Sequence, residues 1–394
     1  MGIIFLPLLA LAAVLPIASA AAQNERPNDV VVTGRRLADT ERALKACIAR
    51  KCATDEDVAA TLAHAENQFV AGDYRGARAT LLQSLSRNGG QARAFPVEVS
   101  NLRRASATTA AHLGLGDSYR AETFETLKAL RAGLGDDDKR VLDARLEVGA
   151  MLARFDEVEG AASIYKDVAA RARALKLPDT EGFARLRLAT LYSGLSLNDP
   201  GNYLELANHT ADALANNPDP QLAKFARAAV TLKARTAIRR GNPQAVDALI
   251  ANSRLDPTDV PVLIYAPVVD LQGLFPRSSS GVAPSQAAIN YEDQWIDIAF
   301  YVLPDGRVSD ADIVRRSPRL TRDVWVQPVL SSVANRRYAP LKRDPRDPGL
   351  LRVERYSLTS RYAPSTRSRI PTRDLVPQLE VLDLSIDPAA VATK

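Results

Sequence analysis

Histidine, cysteine, methionine and tryptophan are nearly absent from this 394-residue chain, which has three of the first and two of each of the others. So few imidazoles and thiols leave little from which to build a metal centre. His64, His112 and His209 lie far apart, without a second ligand at helical spacing or a neighbouring cysteine. A glycine-rich phosphate loop, a nucleophile elbow and a metalloprotease motif are also missing. The nearest approach, Ala132-Gly133-Leu134-Gly135, lacks a third glycine and reads as the end of a helix. Asp136-Asp137-Asp138 lacks the ligand spacing of a calcium loop and reads as the acidic start of a helix. The expectation is a chain with no cofactor, no metal and no small-molecule substrate, and one that is not an enzyme. A net charge of +5 is too weak to imply a nucleic-acid partner. The basicity is local: residues 300–374 carry 16 Lys or Arg against 8 Asp or Glu.

Long apolar runs are confined to the first residues. Met1 to Ala22 is apolar, is broken by Pro7 and Pro16, and ends in Ala18-Ser19-Ala20-Ala21-Ala22, the small-residue pattern of a signal-peptidase site. No Lys or Arg precedes the apolar stretch, so an uncleaved anchor is the alternative to a cleaved signal peptide. Export places Cys47 and Cys52 in an oxidising compartment and predicts a disulfide. Residues five apart in one helix face different directions, so a turn must separate them, between a helix over Leu37 to Arg50 and a capped helix start at Thr54-Asp55-Glu56-Asp57. A metal or redox pair is the rival, without further ligands nearby.

Residues 37–252 are rich in alanine and place apolar residues three and four apart, which predicts helices. A small-and-large pattern recurs along them. Gly72, Tyr74, Ala77 and Leu81 form one copy, and Gly149, Leu152, Ala161, Tyr165 and Val168 a second. Ala189, Tyr192, Ala207, Ala211 and Leu214 form a third, interrupted at Asn198-Asp199-Pro200-Gly201, and Gly241-Asn242, Ala245 and Leu249 a weaker fourth. Small residues at a helix crossing admit the large side chain of the partner helix. The region resembles tetratricopeptide repeats, which implies stacked hairpins of about 34 residues with a concave protein-binding surface. A generic helical bundle is the alternative.

Prolines 257, 261, 267 and 276 and Arg277-Ser278-Ser279-Ser280-Gly281 mark residues 253–290 as a linker. Beyond it, Ile296, Ile298, Phe300 and Val302 alternate on one face of a strand, and Pro304-Asp305-Gly306 turns the chain into a second strand with a bulge between Val308 and Ala311. A helix opening near Pro328 runs to Arg337, and Leu351 to Leu358 is the last long strand. This order, with Arg337-Tyr338-Ala339-Pro340, resembles the C-terminal domain of TonB, the energy transducer of Gram-negative envelopes. The chain is thus expected to be mainly α, with helical hairpin repeats followed by a small α+β domain over 291–385 and a tail over 386–394. The resemblance implies a periplasmic location and a domain that adds an extended partner segment to its sheet, with Arg352, Arg355 and Tyr356 facing that partner. A long proline-rich spacer is lacking, so it extends to the binding fold and not to energy transduction. In the tail over 23–36, Asp29 to Arg36 is similar to the TonB box of TonB-dependent receptors, and Val30, Val31, Val32 and Thr33 would supply the added strand, to this chain or another. The reading is an adaptor for envelope proteins, TonB-dependent receptors or TonB-system components among them. The alternative is attachment to an anionic envelope polymer, peptidoglycan or lipopolysaccharide, through the basic domain.

Overall fold

The computed structural model describes residues 36–241, 257–274, 291, 293–321, 323–364 and 371–385. Residues 36–394 form one compact unit. The Val30 to Thr33 segment, the apolar leader, most of the linker, the fourth repeat copy from Asn242 on and the tail lie outside the described residues.

Ten helices run in succession: α1 Leu37–Ala49, α2 Thr54–Val70, α3 Tyr74–Asn88, α4 Pro96–His112, α5 Gly116–Gly133, α6 Lys139–Arg154, α7 Val158–Ala174, α8 Pro178–Leu195, α9 Pro200–Ala215 and α10 Ala223–Arg240. Each packs against the next. The second helices of successive pairs, α3, α5, α7 and α9, begin at residues 74, 116, 158 and 200, each 42 residues after the one before. The repeat is therefore regular and longer than the tetratricopeptide resemblance implies. A whole pair, α4 with α5, lies between the first two copies found in the sequence.

Three of the four turns that set this period share one device. Gly72, Gly114 and Asp156 have positive φ, and the N–H three positions past each helix end bonds back to a carbonyl in its last turn: Asp73 to Gln68, Leu115 to Ala110, Glu157 to Leu152. Lys51 and Lys176 close α1 and α7 in the same way. In α1 the bond runs from the Cys52 N–H to the Cys47 carbonyl, and the two cysteines form the expected disulfide across the turn. α2 begins at Thr54 as expected, with Asp55, Glu56 and Asp57 in its first turn. Its N-cap is Ala53, however, which supplies no side-chain cap. Asp57 instead turns inward and accepts from Arg87, Asn88 and Thr61, which hold its carboxyl down at about 2 against the desolvation of its site.

Two copies of the small-and-large pattern pack as that spacing requires. Ala161, Tyr165 and Val168 on α7 are buried against Leu152 on α6, and a Cβ at Gly149 would lie 2.6 Å from the Tyr165 ring. Ala77 and Leu81 on α3 are buried against α2.

The C-terminal part contains β1 Leu263–Tyr265, the short helix α11 Leu271–Leu274, β2 Trp295–Val302, β3 Val308–Arg316, α12 Val326–Ala334, β4 Arg337–Tyr338, β5 Leu350–Pro364 and β6 Pro371–Asp383. Four strands form an antiparallel sheet in the order β3-β2-β5-β6, and β1 pairs with β4. Ile296, Ile298, Phe300 and Val302 share one fully buried face, packed on Trp325, Val326, Val329 and Val333. The turn at Gly306, φ +81°, and the irregular register between Ala299 and Tyr301 match the expected hairpin and bulge. Three expectations are corrected. The helix spans Val326–Ala334, and Arg337 instead starts a strand whose partner β1 lies in the stretch read as linker. The strand read as ending at Leu358 continues to Pro364. A further strand, β6, follows it and pairs along its outer edge.

Filling the Gly149 crossing should be costly, because the Tyr165 ring is buried and fixed. We expect Gly149→Ala to lose about 1–3 kcal/mol in chemical denaturation, as overpacked cores do, whereas Gly135→Ala, where a Cβ meets no atom within 4 Å, should leave the midpoint almost unchanged.

Candidate functional site

The second face of β2 and β5 is turned toward the helices, and it is polar. Asp297 on β2 and Arg355 on β5 are both 0% exposed and sit opposite each other in the register. Arg355 Nε and Nη2 donate to the two oxygens of Asp297 at 2.6 and 2.9 Å. Its remaining nitrogen, Nη1, donates to the main-chain carbonyl of Phe69 at the end of α2, at 3.0 Å. Trp295 stacks on the guanidinium, 3.9 Å from it to the ring centroid. The indole lies so close over Gly72 that a Cβ there would come within 2.7 Å. Gly72, read from the sequence as a helix-packing residue, thus admits a side chain of the sheet, and its positive φ closes α2 in the same place.

Tyr74, the next residue of that motif, also reaches the sheet. Its hydroxyl lies 2.8 Å from Ser357 Oγ on β5, and His112 Nδ1 at the end of α4 lies 3.4 Å from the same oxygen. Phe69, Tyr74 and His112 form a ring cluster with centroids 4.8–5.3 Å apart. Burial, reinforced by the nearby Arg355 and Arg154 guanidinium groups, pulls the His112 pKa down to about 4, so the ring is neutral at pH 7. Burial likewise raises the Tyr74 hydroxyl.

Above this floor opens a cavity of about 330 Å³. Arg75 and Arg78 on α3 lie on one side, Leu113 and Leu115 on another, and Gln294 and Leu358 close it from the sheet. Asp293, on the rim, bonds Arg319 at 2.9 Å. Arg78, which lines it, donates to Ser118 at 3.1 Å, and the Tyr74 and Ser357 hydroxyls and the neutral His112 ring form its polar floor.

The seam is continued by Arg154 on α6, which forms a two-pronged ion pair with Glu380 on β6, and by Leu382, which packs with Phe69, Leu81 and Ala105. Arg352, expected to face a partner, bonds Asp383 of β6. The partner-facing roles expected for Arg355 and Tyr356 are corrected. Arg355 is sealed into the seam, and Tyr356, also buried, bonds Arg336 and Glu354 on the opposite face. β5 is an interior strand rather than the last one. The outer edge of the sheet on the other side is β3, whose Asp310, Asp312, Val314, Arg315 and Arg316 are exposed. Sequence reasoning missed His112, Ser357, Trp295 and Asp297. Only the alternation of β2, which places Trp295 and Asp297 on the face opposite Ile296 and Ile298, carried a signal for any of them.

No family model and no curated protein matches the chain. Among solved structures it is similar to BtubC (BKLC) from P. vanneervenii, with 15% identity and a TM-score of 0.42 over 56% of this chain and 89% of that one. The expectation that the chain is not an enzyme is withdrawn. It rested on motifs that were not found, and the structural match is to a protein whose likeness, at this level, gives no ground for excluding an activity. Among the described residues, no helix is long and apolar enough to cross a membrane.

Two outcomes follow for the seam. Arg355→Met removes the fully buried one of the two guanidinium groups on Asp297, leaving only Arg315, half exposed, at 2.7 Å, and we expect a loss of about 3 kcal/mol in urea unfolding. His112 is neutral when folded down to about pH 4, whereas the unfolded chain takes up its proton near 6.5. Stability should therefore fall as pH drops from 6.5 toward 4, by about 3 kcal/mol from this residue, and His112→Gln should remove that part of the slope.

Proposed function

We propose that this chain is an exported adaptor of the cell envelope, in which a tetratricopeptide-like scaffold holds a TonB-like sheet domain that binds extended segments of envelope proteins by strand addition. The observation that carries the reading is the outer edge of β3. It lies at one end of a four-stranded antiparallel sheet whose central strands, β2 and β5, are buried on both faces, so the backbone edge of β3 and its exposed side chains are what the sheet offers there. Val314, 53% exposed, stands on that strand among charged neighbours. The TonB-box resemblance of Asp29 to Arg36 makes TonB-dependent receptors and TonB-system components the natural partners, with Val30 to Thr33 as a segment of the same chemistry. The Cys47–Cys52 disulfide supports export.

Attachment to peptidoglycan or lipopolysaccharide gains no such support. Arg315, Arg319, Arg336, Arg343, Arg352 and Arg355, six of the 16 Lys or Arg of residues 300–374, each pair with a carboxylate of this chain. Charges already paired have less to gain from a polyanion.

The test is a photo-crosslinking residue placed at Val314 in living cells. It should capture a discrete envelope protein, where the same residue at Phe183, exposed on α8, captures none. Retention of that partner should change little from low to high salt, because strand addition is made of backbone bonds. A steep loss with salt, or equal capture at both positions, would overturn the reading.

A further inference from the structure

β6 does more than extend the sheet. Its residues alternate, as a strand requires: Leu379 packs toward the core, on the side of α11, and Glu380 and Leu382 turn the other way, toward the helices. Val381 between them stays exposed. The strand therefore meets the molecule on two sides at once. Its backbone pairs with β5 from Glu354 to Ser360, and two side chains two positions apart enter the groove formed by α2, α4 and α6. In that groove Arg154 receives the acid, its guanidinium held 5.3 Å over the Tyr119 ring. The apolar residue meets Leu62, Ala65, Phe69, Leu81 and Ala105, which with Leu382 form the apolar wall of a cavity of about 420 Å³ whose rim carries Glu66, Asn101, Arg104, Thr108 and Thr109. A half-buried leucine leaves much of the space against that wall unfilled.

We propose that the outer edge of β5 and the adjoining helical groove form a receptor site for an extended segment in which an acidic residue is followed two positions later by a large apolar one, and that β6 is its built-in occupant. The chemistry of the site sets the chemistry of the ligand. The β5 edge takes any extended backbone, Arg154 selects the acid, and the apolar wall of the cavity selects a side chain larger than leucine, a phenylalanine or tryptophan. A competing segment must displace a strand joined to β5 through residues 365–370, whose effective concentration is of millimolar order for so short a connection. Binding is thus held low until β6 is weakened or outnumbered. The site is distinct from the β3 edge and shares with it only the mode of strand addition.

The experiment uses the full-length chain and a fluorescent peptide copying Pro377 to Ser385, read by anisotropy. The wild-type chain should bind weakly, and a Leu382→Ala chain, whose own strand is loosened, about 10-fold or more tightly because its internal competitor is weakened. A peptide with Leu382→Phe should bind more tightly still. A peptide with Glu380→Lys should lose affinity on that chain and regain it when Arg154→Glu is added. Absence of saturable binding to a Leu382→Ala chain that unfolds as cooperatively as the wild type would overturn the proposal, as would indifference to the charge at 380. Should Leu382→Ala not fold, the wild-type chain with excess Leu382→Phe peptide decides: faster hydrogen exchange in residues 377–383 supports displacement, and unchanged exchange refutes it. Capture at Val314 with no peptide binding would refute this site alone, and peptide binding without capture at Val314 would refute the β3 reading alone.

Discussion

Arg355 and Asp297 have both given up their water, and a buried ion pair is stable only where every remaining donor finds an acceptor. Here the fifth side of the arrangement is supplied by the helical part: the Phe69 carbonyl, at the end of α2, accepts from the arginine, and Trp295 covers it. That carbonyl is in the last turn of its helix, accepts from the Gly72 N–H at 2.9 Å, and takes the arginine as a second donor. The sheet is thereby tied to the closing turn of the helix. Moving the sheet by one residue along β5 would turn Arg355 to the opposite face, leaving Asp297 with Arg315 alone and the Phe69 carbonyl with the Gly72 N–H alone. The pair thus fixes register and docking together, and the neighbouring contacts, Tyr74 with Ser357 and Arg154 with Glu380, are placed by it.

This arrangement changes what the two parts of the chain can offer. The groove that a helical repeat array presents to a partner is occupied between α2 and α6 by strands of the same polypeptide, and one face of the sheet is spent on that contact. What remains outside is backbone edge and the exposed flank of the repeats. The reading as an adaptor rests on the edges, and the cavity over Ser357 and His112 adds an open cleft of mixed polar and apolar lining at the point where both parts meet.

Much of the fold was legible from local pattern. The alternation from Ile296 to Val302, the Pro304-Asp305-Gly306 turn and the Gly149 to Val168 spacing each express one element, or one pair of adjacent elements, and each took the form expected. The regular 42-residue period was hidden because its markers differ in identity: Gly72, Gly114 and Asp156 do the same conformational work, and only two of them are glycine. β6 was hidden by Pro371 and Pro377, which argue against a paired strand and are tolerated here at its start and beside a register shift on the sheet's edge. The seam was beyond local reading altogether. Phe69 and Arg355 are 286 residues apart, and Arg355 in a basic stretch has the sequence appearance of a solvated residue. Its burial is decided by a carboxylate 58 residues earlier and a helix end at the other side of the molecule.

The central claim is that the buried Arg355–Asp297 pair makes helices and sheet one cooperative structure. Native-state hydrogen exchange across a denaturant series, followed by mass spectrometry, tests it directly. The account predicts that the end of α2 and the turn to Tyr74 open together with residues 295–302 and 354–358, at one free energy. Exchange of the sheet at low denaturant while α2 to α4 stay fully protected would contradict it.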